Sequence, residues 1–246
     1  MMKIQRFTST QVDSFLGLPK GSFDHIPNYA KQAALSAIAK VRKLEQEHIF
    51  RPGLYYIALI DLTASTGASK SLGTDLNQKR VQTFVTACVE SLGMMELTSY
   101  AQFVKEIGDA TLFIFSSFED LVFWWQQAEE QFWSYNQEWE NELCGDEKFD
   151  DFIIRAKTVV HLGEVSYITP GNPLSLAVNQ VFKIEKLFQP HQLGCTEAVR
   201  LAAGPLFNKH KINPKAGKKV ILPGEKVKTP TWILKTSPWA DYQYDS

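Results

Sequence analysis

Residues 55–66 read YYIALIDLTAST, and this stretch restricts the possible folds more than any other. From Leu54 to Ile60 every residue is apolar. A half-exposed strand alternates apolar and polar side chains, so an unbroken run belongs in the middle of a sheet with both faces covered. The run ends in one carboxylate, Asp61, followed by Leu62, Thr63, Ala64, Ser65 and Thr66. A carboxylate at a strand tip can form a turn, ligate a metal or act as a nucleophile. These twelve residues do not choose among the three.

Around this strand, Tyr29, Ala33, Ile38 and Val41 recur at helical spacing and predict a helix over 26–49, ended by Arg51-Pro52-Gly53. After Asp61 a Gly-containing loop is expected, then a helix near Leu76 to Leu92. SYAQFVKEIGDATLFIFSS predicts a hairpin turning at Gly108-Asp109. A long aromatic helix follows over 118–143, then a strand over 152–168 broken near Gly163. Helices are expected over 174–188 and 196–203, and short strands at 220–222 and 231–234. Lys215 to Lys219 reads as a solvated loop. Strands and helices alternate, yet one strand pair is a hairpin. The expected fold class is therefore α/β (α+β), with a mixed, largely antiparallel central sheet flanked by helices.

With 22% charged residues and a formal net charge of -1, the chain has no broad electrostatic attraction to nucleic acid or to anionic lipid. The N-terminal MMKIQRFTSTQVDS lacks the apolar core of a signal peptide, and no segment approaches 18 uninterrupted apolar residues. A cytoplasmic protein with neither nucleic-acid nor membrane partner is expected. Cys88, Cys144 and Cys195 have no zinc or redox spacing and read as reduced, mostly buried thiols. Neither a Gly-x-Ser-x-Gly elbow nor a Walker-type phosphate loop is present.

Chemistry is instead suggested by two carboxylates in related settings, Asp61 at a strand tip and Asp109 in a hairpin turn. Adjacent strands lie ~5 Å apart, so such carboxylates can meet. At that separation they repel unless a positive charge lies between them, and a hard divalent cation suits the geometry.

The order of segments resembles the class III nucleotidyl cyclase catalytic domain. IDLTAST is similar to the family's first metal segment. Lys105, Gly108 and Asp109 match its Lys-x-x-Gly-Asp. VVHLGEV at 159–165 matches its His-x-Gly-Glu-Val strand, and Val178, Asn179 and Lys183 match its Val-Asn-x-x-x-basic helix. The closing KVKTPTWIL is similar to its Pro-containing final strand. The resemblance spans about Leu54 to Leu234 and implies a cyclase-like sheet with a ferredoxin-like core. It implies a domain over 51–238, preceded by a helical extension (1–50) and followed by a tail (239–246).

The resemblance further implies a site of two Mg²⁺ or Mn²⁺ ions held by Asp61, the backbone carbonyl of Leu62 and Asp109. Thr66 would lie at the substrate, and Asn179 and Lys183 would be the catalytic pair. Lys183 stands where the family has Arg, keeping the charge without the planar fork. In the family the metal residues and the Asn–basic pair come from different subunits, so a homodimer with composite active sites is implied. Lys105 and Asn172 occupy the base-reading positions. An amide such as Asn172 can accept from N3–H of uracil and donate to a carbonyl, and by flipping it serves adenine as well.

A catalytic domain without a visible sensor, with bulky Tyr56 or Tyr100 near the site, is most similar to the standalone pyrimidine cyclases of bacterial Pycsar antiphage systems. The expected reaction converts UTP to cyclic UMP and pyrophosphate, the product being read by a separate downstream effector. The alternatives are an adenylate cyclase making cyclic AMP and a nucleotide-binding cyclase-like domain without turnover. A third is a metal-dependent adhesion-type binding module, suggested by Asp61-x-Thr63-x-Ser65. That module gives no reason for Lys105, Asp109 or Asn179. His161 reads as a packed or turn-bonded imidazole, and the aromatic residues of 118–143 as packing.

Overall fold

A computed structural model describes His25 and residues 53–240, apart from 96, 98, 144–148, 166, 170 and 171. The chain divides into two compact units, Met1–Arg51 and Pro52–Ser246. The helix expected over 26–49 lies outside the described residues, and the sheet with its helices belongs to the second unit.

The apolar run forms β1 (Gly53–Leu62), which lies third in a seven-stranded sheet. Its neighbours are β3 (Ala110–Phe115) and β4 (Ala156–Val165), both antiparallel to it. β2 (Ala101–Ile107) closes one edge by the predicted hairpin onto β3. On the other side come β7 (Gln192–Thr196), β9 (Lys228–Thr236) and β8 (Lys215–Ile221). Only β4 and β7 run parallel within this sheet, so it is mixed and mostly antiparallel, as expected. A separate two-stranded ribbon pairs β5 (Tyr167–Thr169) with β6 (Asn172–Leu174).

Both faces of β1 are covered, because Ile57, Ala58, Leu59 and Ile60 are all buried. Ala58, Ile60 and Leu62 join Phe113 and Phe115 in a core with α2 (Thr74–Gly93) and α3 (Phe118–Leu143), which contribute Phe84, Trp124 and Phe132. The alternate residues Ile57 and Leu59 belong to the opposite face, where α5 (Leu176–Ile184) packs on β1 and β4. α3 spans the predicted residues, and the Trp124 indole donates to the Cys88 carbonyl at 2.9 Å. Trp125, Phe132 and Trp139 are also buried, whereas Phe123 is exposed. Trp133 stacks on Trp239 at 4.4 Å. Cys88 and Cys195 are buried free thiols.

Three expectations need correction. The loop after Asp61 is partly helical, forming α1 (Ser65–Leu72). Its Gly and Ser residues are weak helix formers, but Ala68 and Leu72, one turn apart, are buried, and that burial overrides propensity. β4 runs unbroken through Gly163. Here glycine permits close approach, since a Cβ on it would stand 2.3 Å from that of Ala177 in α5. Residues 215–219 are strand rather than loop, and β8 is an edge strand whose exposed Lys215, Lys218 and Lys219 discourage pairing with another chain. Further elements were not anticipated. They are β7, whose QLGCT is only five residues long, and the one-turn α4 (Phe149–Phe152), whereas α6 (Glu197–Ala203) fills the helix expected over 196–203.

Candidate active site

The tip of β1 is gripped from both sides. Asp61 stands opposite Ala110 of β3 and opposite Lys157 of β4. The next residue, Leu62, donates its N–H to the Asp109 carbonyl at 3.0 Å. Asp109 occupies the second position of the β2–β3 turn, behind Gly108, whose φ of 65° is the left-handed conformation glycine adopts without strain. Positive φ at the first central residue and not at the second is the pattern of a type II′ hairpin turn. Asp61 thus ends the β1–β3 ladder opposite Ala110, while Asp109 is the turn residue just before Ala110, and both are half-buried.

The Asp61 carboxylate lies 3.2 Å from the Lys157 ammonium, which also contacts the Glu185 carboxylate in the 3-10 turn (Glu185–Leu187) that ends α5. Burial pushes the Asp61 carboxyl up to about 7, with the charge of Glu185 acting in the same direction and Lys157 opposing both. Burial works to lower the pKa of Lys157, but Glu185 and Asp61 outweigh it and the net shift is upward.

Beneath the β1 tip lies Arg80 of α2, 2% exposed. Its Nε donates to the Ile153 carbonyl at 3.1 Å and one terminal nitrogen to the Thr63 carbonyl at 2.8 Å. Burial, reinforced by neighbouring Arg155 and opposed by Asp151 and Asp109, lowers its pKa to about 10. Thr63 is also tied to the Arg155 carbonyl, through its hydroxyl at 2.7 Å and its N–H at 2.8 Å. The chain then turns through Ala64, at φ 61°, into α1. Arg80, Lys157 and Glu185 were not singled out in the sequence. Their roles depend on which strand and helix lie beside β1, and no local pattern encodes that.

The remaining candidates fall on several elements. Thr66 is in the first turn of α1. Lys105 is in β2, beside an irregularity in its pairing with β3, on the same hairpin as Asp109. Asn172 opens β6 and pairs with Thr169. Asn179 and Lys183 lie one turn apart on the exposed side of α5, opposite its buried Ala177, Val178, Val181 and Ile184. The Ser175 hydroxyl caps this helix by accepting from the Val178 N–H at 3.2 Å.

Tyr56 and Tyr100 are a correction. Tyr56 is five residues from Asp61 along an extended strand, ~16 Å away, and packs on Phe118. Tyr100 precedes β2 at that same far end and meets Tyr55 edge-on. Neither lies near Asp61 in its own chain. His161 is buried with Nδ1 2.9 Å from the Thr196 hydroxyl, and burial lowers its pKa. It is a packed imidazole, as the sequence suggested.

Among the described residues no three His, Cys, Asp or Glu side chains cluster into a complete metal cage. Mg²⁺ does not need one, because it keeps waters and substrate phosphates in its shell. The donor set of two carboxylates and a backbone carbonyl is all hard oxygen, and one of those carboxylates already holds a cation in the form of the Lys157 ammonium. These residues fit a divalent ion.

Solved structures share this arrangement of strands and helices. The fold is that of the class III nucleotidyl cyclase catalytic domains. Adenylate cyclases from Trypanosoma brucei in their monomeric state are 16% identical, with a TM-score of 0.57, covering 77% of this chain and 93% of theirs. The guanylyl cyclase Cya2 is 15% identical (TM-score 0.59; 79% and 98% covered). The adenylyl cyclase CyaB from P. aeruginosa is 11% identical (TM-score 0.56; 79% and 100% covered). No family model matches the sequence, and no curated protein does.

Proposed function

We propose that the chain is a nucleotidyl cyclase that converts a nucleoside triphosphate, UTP in our reading, to a 3′,5′-cyclic nucleotide and pyrophosphate. The observation that carries this is the juxtaposition of Asp61, paired with Ala110 at the end of the β1–β3 ladder, and Asp109, whose carbonyl accepts from the Leu62 N–H. Asp61, the Leu62 carbonyl and Asp109 would hold two Mg²⁺ or Mn²⁺ ions. Bound there, such ions neutralise triphosphate charge and make the ribose 3′-hydroxyl more acidic.

The chain's own residues do the rest. The 3′-oxygen forms a bond to the α-phosphorus, the bond to the β-phosphate bridge breaks, pyrophosphate leaves and the hydroxyl proton passes to solvent. Asn179 orients the ribose and Lys183 balances charge on the α-phosphate. Both lie on the exposed face of α5, which supports their serving the site of a second subunit in a homodimer. Lys105 and Asn172 read the base. Asn172 suits uracil by accepting at N3–H and donating to a carbonyl. With Tyr56 and Tyr100 displaced from the site, uracil rests on that amide and on the sequence resemblance. So does the wider role, a second messenger of antiphage defence read by a separate effector.

Purified protein incubated with each of the four nucleoside triphosphates and Mn²⁺ or Mg²⁺, with products identified by mass spectrometry, tests this. Cyclic UMP is expected. Dominant cyclic AMP overturns the pyrimidine assignment, and no cyclic product from any substrate overturns the activity. A nucleotide-binding domain without turnover is the second possibility, favoured by Lys183 in place of Arg and by the lysine already seated on Asp61. Nucleotide binding without pyrophosphate release would establish it.

A further inference from the structure

Lys157 faces more carboxylate than an ordinary ion pair requires. It stands directly across the ladder from Asp61, touches that carboxylate at 3.2 Å and touches Glu185 as well. All three side chains are shielded, with 14–19% of each exposed. With both carboxylates ionised, one ammonium between them leaves the trio with a net charge of -1. A divalent cation arriving at Asp61 would repel an ammonium so near it, because partial burial weakens screening. Glu185 gives that ammonium somewhere to stay without crossing into water or leaving its own strand. It comes from α5's trailing turn, so the helix that carries Asn179 and Lys183 also carries this acceptor.

We propose that Lys157 is a resident counter-cation for Asp61, displaced onto Glu185 when a divalent ion binds. This rests on Asp61 being a metal ligand, as in the proposed function. Lys157 and Glu185 are thus positioning residues. They hold Asp61 in place in the metal-free chain and set how tightly the first ion binds, without contacting substrate. The arrangement also keeps a carboxylate pair from repelling at the tip of a buried strand before the metal arrives.

The test is Mn²⁺ binding to the nucleotide-free full chain, followed by electron paramagnetic resonance of the free ion. Lys157→Met removes the competitor and is expected to tighten binding roughly tenfold or more. Glu185→Gln removes the refuge, leaves the ammonium on Asp61 and is expected to weaken binding by a similar factor. Because Glu185 acts through Lys157, the double variant is expected to bind like Lys157→Met alone, a non-additive result. Additive effects would show two independent nearby charges and overturn the proposal, as would both single variants weakening binding together. If Lys157→Met does not fold, Lys157→Gln takes its place in the cycle. Asp61→Asn separates the two layers. If it abolishes Mn²⁺ binding while the Lys157 and Glu185 variants change nothing, only the counter-cation fails. If wild type binds no Mn²⁺, or Asp61→Asn binds it normally, the metal site and the counter-cation fail together.

Discussion

Replacing Gly163 by alanine isolates the contact that seats α5 on the sheet. The new Cβ would lie 2.3 Å from the Cβ of Ala177, whereas carbon atoms rest at roughly 3.5 Å. The two elements must therefore part by about 1.2 Å, and the atom in the way is a short, rigid side chain that cannot swing aside. Overpacking of this kind costs about 1–3 kcal/mol. Asn179 lies two residues beyond Ala177, so the same displacement moves the proposed catalytic amide by a comparable amount. A misplacement of ~1 Å can lower turnover by ~100-fold. Urea denaturation reads the stability and pyrophosphate release reads the turnover. The second half of the test is Ala177→Gly, in the first turn of α5, where the glycine alone costs at most the ~1 kcal/mol of a helix interior. Combined with Gly163→Ala it removes the clash, so the double variant is expected to be more stable than the sum of the two predicts, by about 1 kcal/mol or more. A Gly163→Ala protein within about 0.5 kcal/mol of wild type, or strictly additive variants, would refute the packing account.

Other outcomes are expected from the same geometry. Lys183→Ala is expected to depress turnover far more than stability, because the side chain is exposed on α5, and an unchanged rate would remove it from the site. Mixing Asp61→Ala and Asn179→Ala subunits is expected to restore part of the activity through one intact composite site, and no restoration in a verified heterodimer argues against shared sites. His161 has a pKa lowered by burial, so the unfolded chain takes up its proton more readily than the folded one. Stability contributed by neutral His161 is full above its ordinary pKa of about 6.5 and declines as pH falls below it, by at most ~1.4 kcal/mol per pH unit. Comparing wild type with His161→Asn in denaturant between pH 7 and pH 5 should show a shallower decline in the variant, and parallel curves would contradict this.

Much of the fold could be read from residues whose environment is local. β1 is legible from apolar residues of both parities, α3 from its length and its density of Phe and Trp, and the β2–β3 hairpin from Gly108-Asp109. Where tertiary contacts decide, the sequence was silent or misleading. α1 is built from poor helix formers and depends on burying Ala68 and Leu72. Gly163 looked like a break because its reason for being glycine, Ala177, lies 14 residues away on another element. The lysines of β8 looked like loop because an edge strand is charged for reasons of pairing rather than of local conformation.

The candidate site divides the same way. Asp61 and Asp109 stand out because each ends or turns a strand, and their backbones meet at the β1 tip, where Asp61 pairs with Ala110 and the Leu62 N–H bonds the Asp109 carbonyl. Lys157 and Glu185 did not stand out, since nothing in AKTVV or in KIEKL says that these residues meet at Asp61. Tyr56 and Tyr100 are bulky aromatics that the resemblance sets near the site, but an extended strand carries its residues ~3.3 Å apart, and five steps take Tyr56 from Asp61, and Tyr100 from Lys105, to the other end of their strands.

The central claim is that Asp61 and Asp109 jointly hold the ions beneath a triphosphate. Pyrophosphate release from an equimolar mixture of the four nucleoside triphosphates with Mn²⁺, measured for wild type, Asp61→Asn and Asp109→Asn, tests it most directly. The account predicts release by wild type and background rates for both variants, each still folded by thermal melting. Undiminished release by either folded variant would contradict it.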